Sequence, residues 1–401
     1  MDSKPSVVMV GLGYIGLPTA ALIASKGINV TGVDIHQNVV DTINKGEIHI
    51  VEPDLDGLVH YVVKEGFLKA STTSIEADVY LIAVPTPFKG EFEPDISYVE
   101  AATNAILPTI NDGALIIIES TSPVGTTEKI QELIFSKRPE LKGKIYLAYC
   151  PERVLPGNVI HELEHNDRAI GGINEASTEK AVWFYKHFVK GELHKTNSKT
   201  AEMCKLVENS SRDVQIAFAN ELSMICDKAG INVWELIKLA NKHPRVNILQ
   251  PGTGVGGHCI AVDPWFIVSK FPDESKIIRA AREINNYKTE WAAEKLKNKA
   301  LQFKIKNGRD AKIACMGLAF KPNIDDLRES PALRVVEELI TDGFDILAVE
   351  PNVASSKTMQ LYLTEDAINE ADIVAFLVSH REFKNIDIKG KEVVDFVNCI
   401  S

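Results

Sequence analysis

The sequence predicts an α/β protein with two doubly wound parallel-sheet domains joined by a long central helix and a helical middle region. Three observations predict it. Short apolar runs alternate with segments of helical period from Val7 to Ile118, a comparable alternation returns at Lys312, and residues 201–228 between them hold neither Gly nor Pro. The expected domains span residues 1–196, 197–303 and 304–401.

The first strands are the runs VVMV at 7–10, INVTGVD at 28–34, DVYLIAV at 78–84 and ALIIIES at 114–120. Continuous apolar runs of this length are what strands covered on both faces require. The uncharged stretch Ser6 to Ser25 is not read as a membrane span or signal peptide, because Gly11, Gly13, Gly16 and Pro18 interrupt its middle. Ala201 to Lys228 is rich in helix formers and stops at Gly230, and a second helical segment runs from Glu274 to about Ala300. The charged stretch Lys304 to Asp310 is expected to be a surface linker. In the last part Lys312 to Met316 reads as a strand, Gly317 as a turn, Ser330 to Thr341 as a helix and Ile346 to Val349 as a strand ending at Glu350. The run Asp78 to Ile82 is echoed by Asp372 to Phe376, an echo too short by itself to prove duplication.

The chain has 401 residues, 45% of them hydrophobic, and a net charge of -11, which argues against a broad electrostatic grip on nucleic acid or an anionic membrane. Six cysteines, at 150, 204, 226, 259, 315 and 399, give neither a disulfide framework nor a zinc-type CxxC pair, so reduced thiols in a cytoplasmic setting are expected and no metal.

Gly11-Leu12-Gly13-Tyr14-Ile15-Gly16 follows a strand and opens a helix, the arrangement in which glycines allow a tight turn and close backbone approach to a pyrophosphate. Asp34 ends the next strand, 18 residues after Gly16, where a carboxylate accepts ribose hydroxyls and repels a 2′-phosphate; NAD is therefore expected. Thr86 and Thr121 lie just beyond strands, where open α/β sheets place ligand contacts, although each alone is as readily a turn residue.

Five Gly or Pro positions between 251 and 257 precede Cys259. A backbone so made can approach a ligand closely, and a thiol becomes a nucleophile when a cation or dipole lowers its pKa; a lone Cys is more often a small buried hydrophobe. Lys205, Asn209 and Arg212, at spacings of four and three, present an ammonium, an amide and a guanidinium on one helix face, or else a merely solvated one. Asp263 is either a turn residue before Pro264 or a carboxylate that holds water and Lys205. His258 has no accompanying ligand pattern and is given no catalytic role.

Together these residues resemble the nucleotide-sugar 6-dehydrogenase family, which includes UDP-glucose dehydrogenase. The carrying motifs are GLGYIGLP (11–18), AVPTP (83–87), ESTSPVGTT (119–127), CPERVLPG (150–157), TAEMCKLVENSSRD (200–213), GVGGHCIAVDP (254–264) and GLAFKPNIDDLRESPA (317–332). The resemblance implies two Rossmann-like domains around a helical dimerisation region, and Cys259 as the nucleophile of a four-electron oxidation that consumes two NAD. It implies Lys205 as alkoxide stabiliser or proton shuttle, Asn209 as oxyanion donor and Asp263 as the group arranging Lys205 and water. It implies that Arg153, Val154, Lys205, Asn209, Arg212, His243, Arg245, Gly256 and Lys321 contact the UDP-sugar, and that Gly11, Gly13, Tyr14, Ile15, Gly16, Asp34, Thr86, Thr121 and Arg328 contact NAD.

Arg245 is similar to a family arginine that reaches the neighbouring subunit's site, which implies a homodimer. Within the family, CPERVLPG followed by NDRAIGG, and HPRVNILQPGTGVGGHCIAVDPWF, look most like the members acting on UDP-N-acetyl-D-mannosamine to make a uronate for surface polysaccharide, with UDP-N-acetylglucosamine next and UDP-glucose after it. Two departures stand out. Pro156 replaces a second glutamate of UDP-glucose members, leaving Glu152 as the carboxylate of its loop, and Val394-Asp395-Phe396-Val397 lacks the basic residue of VDxR or VDxK.

Overall fold

The computed structural model describes residues 4–90, 92–155, 157–257, 259–356 and 358–400. The chain forms two compact units, Met1–Glu208 with Trp265–Lys270, and Asn209–Pro264 with Phe271–Ser401.

The first unit is built on β1 (Val7–Val10), β2 (Val30–Val33), β3 (Leu68–Ser71), β4 (Val79–Ile82), the small hairpin β5 (Phe88–Lys89) and β6 (Glu93–Pro94), β7 (Leu115–Ile118), β8 (Tyr146–Tyr149), β9 (Arg168–Gly172) and β10 (Leu193–Asn197). Eight of these make one sheet in the order β10-β9-β8-β7-β4-β1-β2-β3. Neighbours run parallel except β8 and β9. Side chains alternate across the sheet. Val7, Met9, Val79, Leu81, Leu115 and Ile117 enter the core under helices Gly16–Ser25 and Glu175–Tyr185. Val8, Val10, Tyr80, Ile82, Ile116 and Ile118 enter the core under Ser97–Ile106 and Thr126–Lys137. The strands are therefore covered on both faces, which is why they read as unbroken apolar runs. The chain steps outward from β1 to β3 and then returns to β4 on the other side of β1. That reversal opens a crevice at the carboxyl ends of β1 and β4.

The second unit holds β11 (Lys312–Met316), β12 (Asp345–Val349), β13 (Ile373–Phe376) and β14 (Glu392–Asp395), all parallel, in the order β12-β11-β13-β14. The sequence echo is a structural one. Gly11 N donates to Val33 O at 2.8 Å and Gly317 N to Val349 O at 2.8 Å, while Ala83 N reaches Val10 O at 2.9 Å and Leu377 N reaches Met316 O at 3.0 Å.

Two helices of 32 residues, Ser198–Ala229 and Lys276–Asn307, dominate the middle of the chain. The second corrects an expectation: the helix runs through Lys304 to Asn307, where a linker was expected. Ala300 and Phe303 keep its apolar stripe buried while Lys304 and Lys306 point outward, and Gly308, at φ 70°, ends it. Within the second unit the helices are tied by buried polar groups. Arg282 Nη1 meets Asp213 Oδ1 at 2.7 Å, Asn285 Nδ2 donates to the same oxygen at 2.8 Å, and Lys288 Nζ donates to Ser223 Oγ at 2.8 Å. Among the described residues no helix is long and apolar enough to cross a membrane.

Candidate active site

The turn after β1 is set by its glycines. Gly11 has φ 91°, and a Cβ there would lie 2.6 Å from Ala83 O; a Cβ on Gly16 would lie 1.8 Å from Gly11 O. Gly13 is exposed, with nothing within 4 Å of a notional Cβ, so its absent side chain leaves room for a ligand. The helix that follows has no side-chain cap and no acid in its first turn; Leu17 N and Thr19 N donate to Gly13 O and Ile15 O and Pro18 has no N–H, so an anion there would be met by the backbone of the glycine turn itself and the positive end of the helix. Asp34, the residue after β2, is half-buried and accepts Leu12 N at 3.1 Å and His36 N at 3.0 Å, so its carboxylate is fixed at the edge of the turn. Val84 N donates to Ser120 Oγ at 2.9 Å and joins the loops after β4 and β7, which carry Thr86 and Thr121, both half-buried. The sheet order thus brings Gly11, Gly13, Tyr14, Ile15, Gly16, Asp34, Thr86 and Thr121 to one edge of the first unit. These residues fit a dinucleotide. Arg328 belongs to the second unit, where it pairs with Asp326 Oδ2 at 2.6 Å.

The loop after β8 carries Glu152, Arg153 and Val154. Glu152 is buried and committed: Oε1 accepts Arg153 N at 2.7 Å and Oε2 accepts the buried Arg168 Nη1 at 2.8 Å. Arg168, from the NDRAIGG segment, was not singled out by the sequence, because its partner Glu152 lies on a different loop and is brought to it by the fold. Arg153 Nη1 pairs with Glu208 Oε1 at 2.7 Å, and Val154 packs on the core. Behind this loop Glu119 is fully buried and accepts Tyr185 OH at 2.6 Å. Burial pushes its carboxyl up to about 7, against the pull of Arg168. Pro156 and His258 lie outside the described residues.

Lys205, half-buried, and Arg212, exposed, stand on the Ser198–Ala229 helix on either side of Asn209. In the second unit Asn209 Nδ2 donates to the buried Asp263 Oδ2 at 2.6 Å, and Asp263 N donates to Cys259 O at 2.8 Å. Asp263 therefore links the amide to the thiol loop as well as starting the helix Asp263–Lys270. Of the six cysteines Cys259 is the exposed one. Cys150 and Cys315 are fully buried, and desolvation pushes their thiols up to about 11 and about 12, which suits packing rather than attack.

Gly254, Gly256 and Gly257, ahead of Cys259, serve the protein's own packing. A Cβ on Gly256 would lie 2.3 Å from Glu329 O and one on Gly257 2.8 Å from the Phe320 ring. His243 and Arg245 are exposed on a turn held by Asn241, whose side chain pairs with Ile248 N at 2.7 Å and Ile248 O at 3.0 Å. Lys321 is exposed on the loop after β11. Asp395 takes up the C-terminal VD position by accepting Val397 N at 2.9 Å and Cys399 N at 2.7 Å.

The chain is 55% identical over 413 residues to UDP-N-acetyl-D-mannosamine dehydrogenase of Campylobacter jejuni, covering 99% of this chain and 100% of that one. It is 51% identical to the NDP-N-acetyl-D-galactosaminuronic acid dehydrogenase of Ralstonia nicotianae, covering 97% and 95%. The solved UDP-D-ManNAc dehydrogenase of Pyrococcus horikoshii superposes with a TM-score of 0.88 at 40% identity, covering 99% and 96%. Residues 5–189 match the NAD binding domain, 199–287 the central domain and 314–401 the UDP binding domain of one family. The chain belongs to the UDP-glucose/GDP-mannose dehydrogenase family, and is an NAD-dependent UDP-sugar dehydrogenase.

Proposed function

We propose that the chain oxidises the C6 hydroxymethyl of UDP-N-acetyl-D-mannosamine to the carboxylate of UDP-N-acetyl-D-mannosaminuronate. Bound NAD supplies the hydride acceptor, once for each two-electron step. The observation that carries the reading is the exposed Cys259 one turn ahead of the buried Asp263, which holds the Asn209 amide at 2.6 Å. Lys205 stabilises the developing alkoxide or shuttles its proton as the aldehyde forms. Cys259 Sγ adds to the aldehyde carbon to give a thiohemiacetal, whose oxidation leaves a thioester; water cleaves the C–S bond, releasing the carboxylate and restoring the thiol. The Asn209 amide has two N–H groups, so one remains for the developing oxyanion after the bond to Asp263. Glu152 has both oxygens engaged by Arg153 N and Arg168, which suits a strut for the substrate loop rather than a base.

The substrate assignment is supported by the C. jejuni and P. horikoshii relatives. The R. nicotianae relative, named for N-acetyl-D-galactosaminuronic acid, favours a second reading, a 2-acetamido sugar of another configuration; the sequence motifs put UDP-N-acetylglucosamine next among such sugars. The working form is a cytoplasmic homodimer. In support, Phe218 and Ile225 are 55% and 57% exposed and lie seven residues apart on one face of the long helix.

The test is NADH formed per sugar consumed, with UDP-N-acetylmannosamine, UDP-N-acetylglucosamine and UDP-glucose offered separately. Two NADH from the first alone is expected. One NADH per sugar, or full product formation by Cys259→Ala, overturns the covalent scheme; two NADH from another sugar overturns the substrate.

A further inference from the structure

The two units solve the same local problem with an acid, and solve it differently. In each, a carboxylate ends the second strand beside the glycine turn: Asp34 after β2 and Glu350 after β12. Asp34 is half-buried with two backbone partners. Glu350 is buried and saturated. Its Oε2 accepts Leu318 N at 2.7 Å, Ala319 N at 2.9 Å and His380 Nε2 at 3.0 Å, and its Oε1 accepts Asn352 N at 3.0 Å. A carboxylate with both oxygens so engaged has no capacity left for a ribose.

His380 is fully buried after β13. Its Nδ1 accepts Asn323 N at 2.9 Å, which fixes the tautomer: Nδ1 bears the lone pair, and Nε2 carries the hydrogen given to Glu350. Asn323 sits at φ 62°, in the left-handed region, and its Oδ1 accepts Arg381 N at 2.9 Å. The segment Leu318–Asn323 is thus held at one end by Glu350 and at the other by His380, and the exposed Lys321 lies between.

We infer that Glu350, His380 and Asn323 form a clamp that presents Lys321 to the nucleotide sugar, so that His380 is a positioning residue for substrate affinity. This rests on the reading of Lys321 as a substrate contact. An ordered loop binds without losing backbone freedom at that moment, so loosening it is felt in substrate affinity before turnover.

The experiment varies the nucleotide sugar that supports turnover, at saturating NAD, in the full-length protein. His380→Ala raises its KM about tenfold, consistent with the loss of one or two buried hydrogen bonds, while kcat stays within about twofold and KM for NAD is unchanged. His380→Asn, whose amide oxygen can still accept Asn323 N–H, recovers part of the affinity. Lys321→Ala raises KM by itself, and the double variant is no worse than Lys321→Ala. If the Ala variant does not fold, His380→Gln, which keeps the donor toward Glu350 but not the acceptor for Asn323, carries the same expectation. An unchanged sugar KM in the His380 variants beside an impaired Lys321→Ala overturns the clamp and leaves the Lys321 reading standing. Losses that add in the double variant also overturn it. An unchanged KM in Lys321→Ala overturns the Lys321 reading, and the clamp with it.

Discussion

Asp34 steadies the turn through Leu12 N and His36 N, and the proposed cofactor site gives the same carboxylate a second task as acceptor for the ribose. Asp34→Ala is expected to weaken NAD binding by about 1 to 3 kcal/mol, read by calorimetry; an unaltered affinity would remove Asp34 from the cofactor site. At this scale the nucleotide turn was legible because glycine spacing is a backbone requirement written directly in the residues. The roles of Gly256 and Gly257 were not, since what a glycine avoids is Phe320 and Glu329, more than sixty residues later in the chain. Arg168 and His380 escaped for the same reason: their partners Glu152 and Glu350 are brought to them by the sheet.

Among elements, the second long helix carries an unusual buried cation. Lys288 lies 3.8 Å from the Trp291 ring centroid with Ser223 as its hydrogen-bond partner, and burial, with Lys295 nearby, lowers its pKa to about 7. The unfolded lysine titrates near 10.5, so between about pH 7 and that value the unfolded chain binds more protons than the folded one. Stability gained from this group therefore rises with pH across that window, and below it the full cost of a buried charge is present. Lys288→Met is expected to raise the melting temperature by several degrees, on the order of 2–4 °C per kcal/mol gained, at neutral pH, with the gap to wild type narrowing in alkali. A gap that widens in alkali would show that the charge is welcome where it lies. Elements with clear periodicity were legible, including the helix ending near Gly230. The overrun to Asn307 was not, because charge density suggested a loop where the buried Ala300 and Phe303 kept a helical face.

For the whole molecule, the apolar face bearing Phe218 and Ile225 makes a prediction about assembly. The double substitution Phe218→Glu and Ile225→Glu is expected to yield monomers by sedimentation equilibrium, with activity reduced if Arg245 serves a neighbouring site. A wild-type protein that sediments as a monomer would end the homodimer reading. The doubly wound plan was legible from unbroken apolar runs, but the antiparallel meeting of β8 and β9 was not, because an apolar run carries no mark of direction. The packing of Gly256 and Gly257 against Glu329 and Phe320 has a consequence for mutability: the thiol loop and the stretch 317–332 are locked by shape. A directed-evolution library aimed at a new substrate range should therefore hold both positions as glycine, because a side chain at Gly256 meets the Glu329 backbone carbonyl and Gly257 sits at φ 83°, and clones that vary either one are expected to be recovered mostly misfolded.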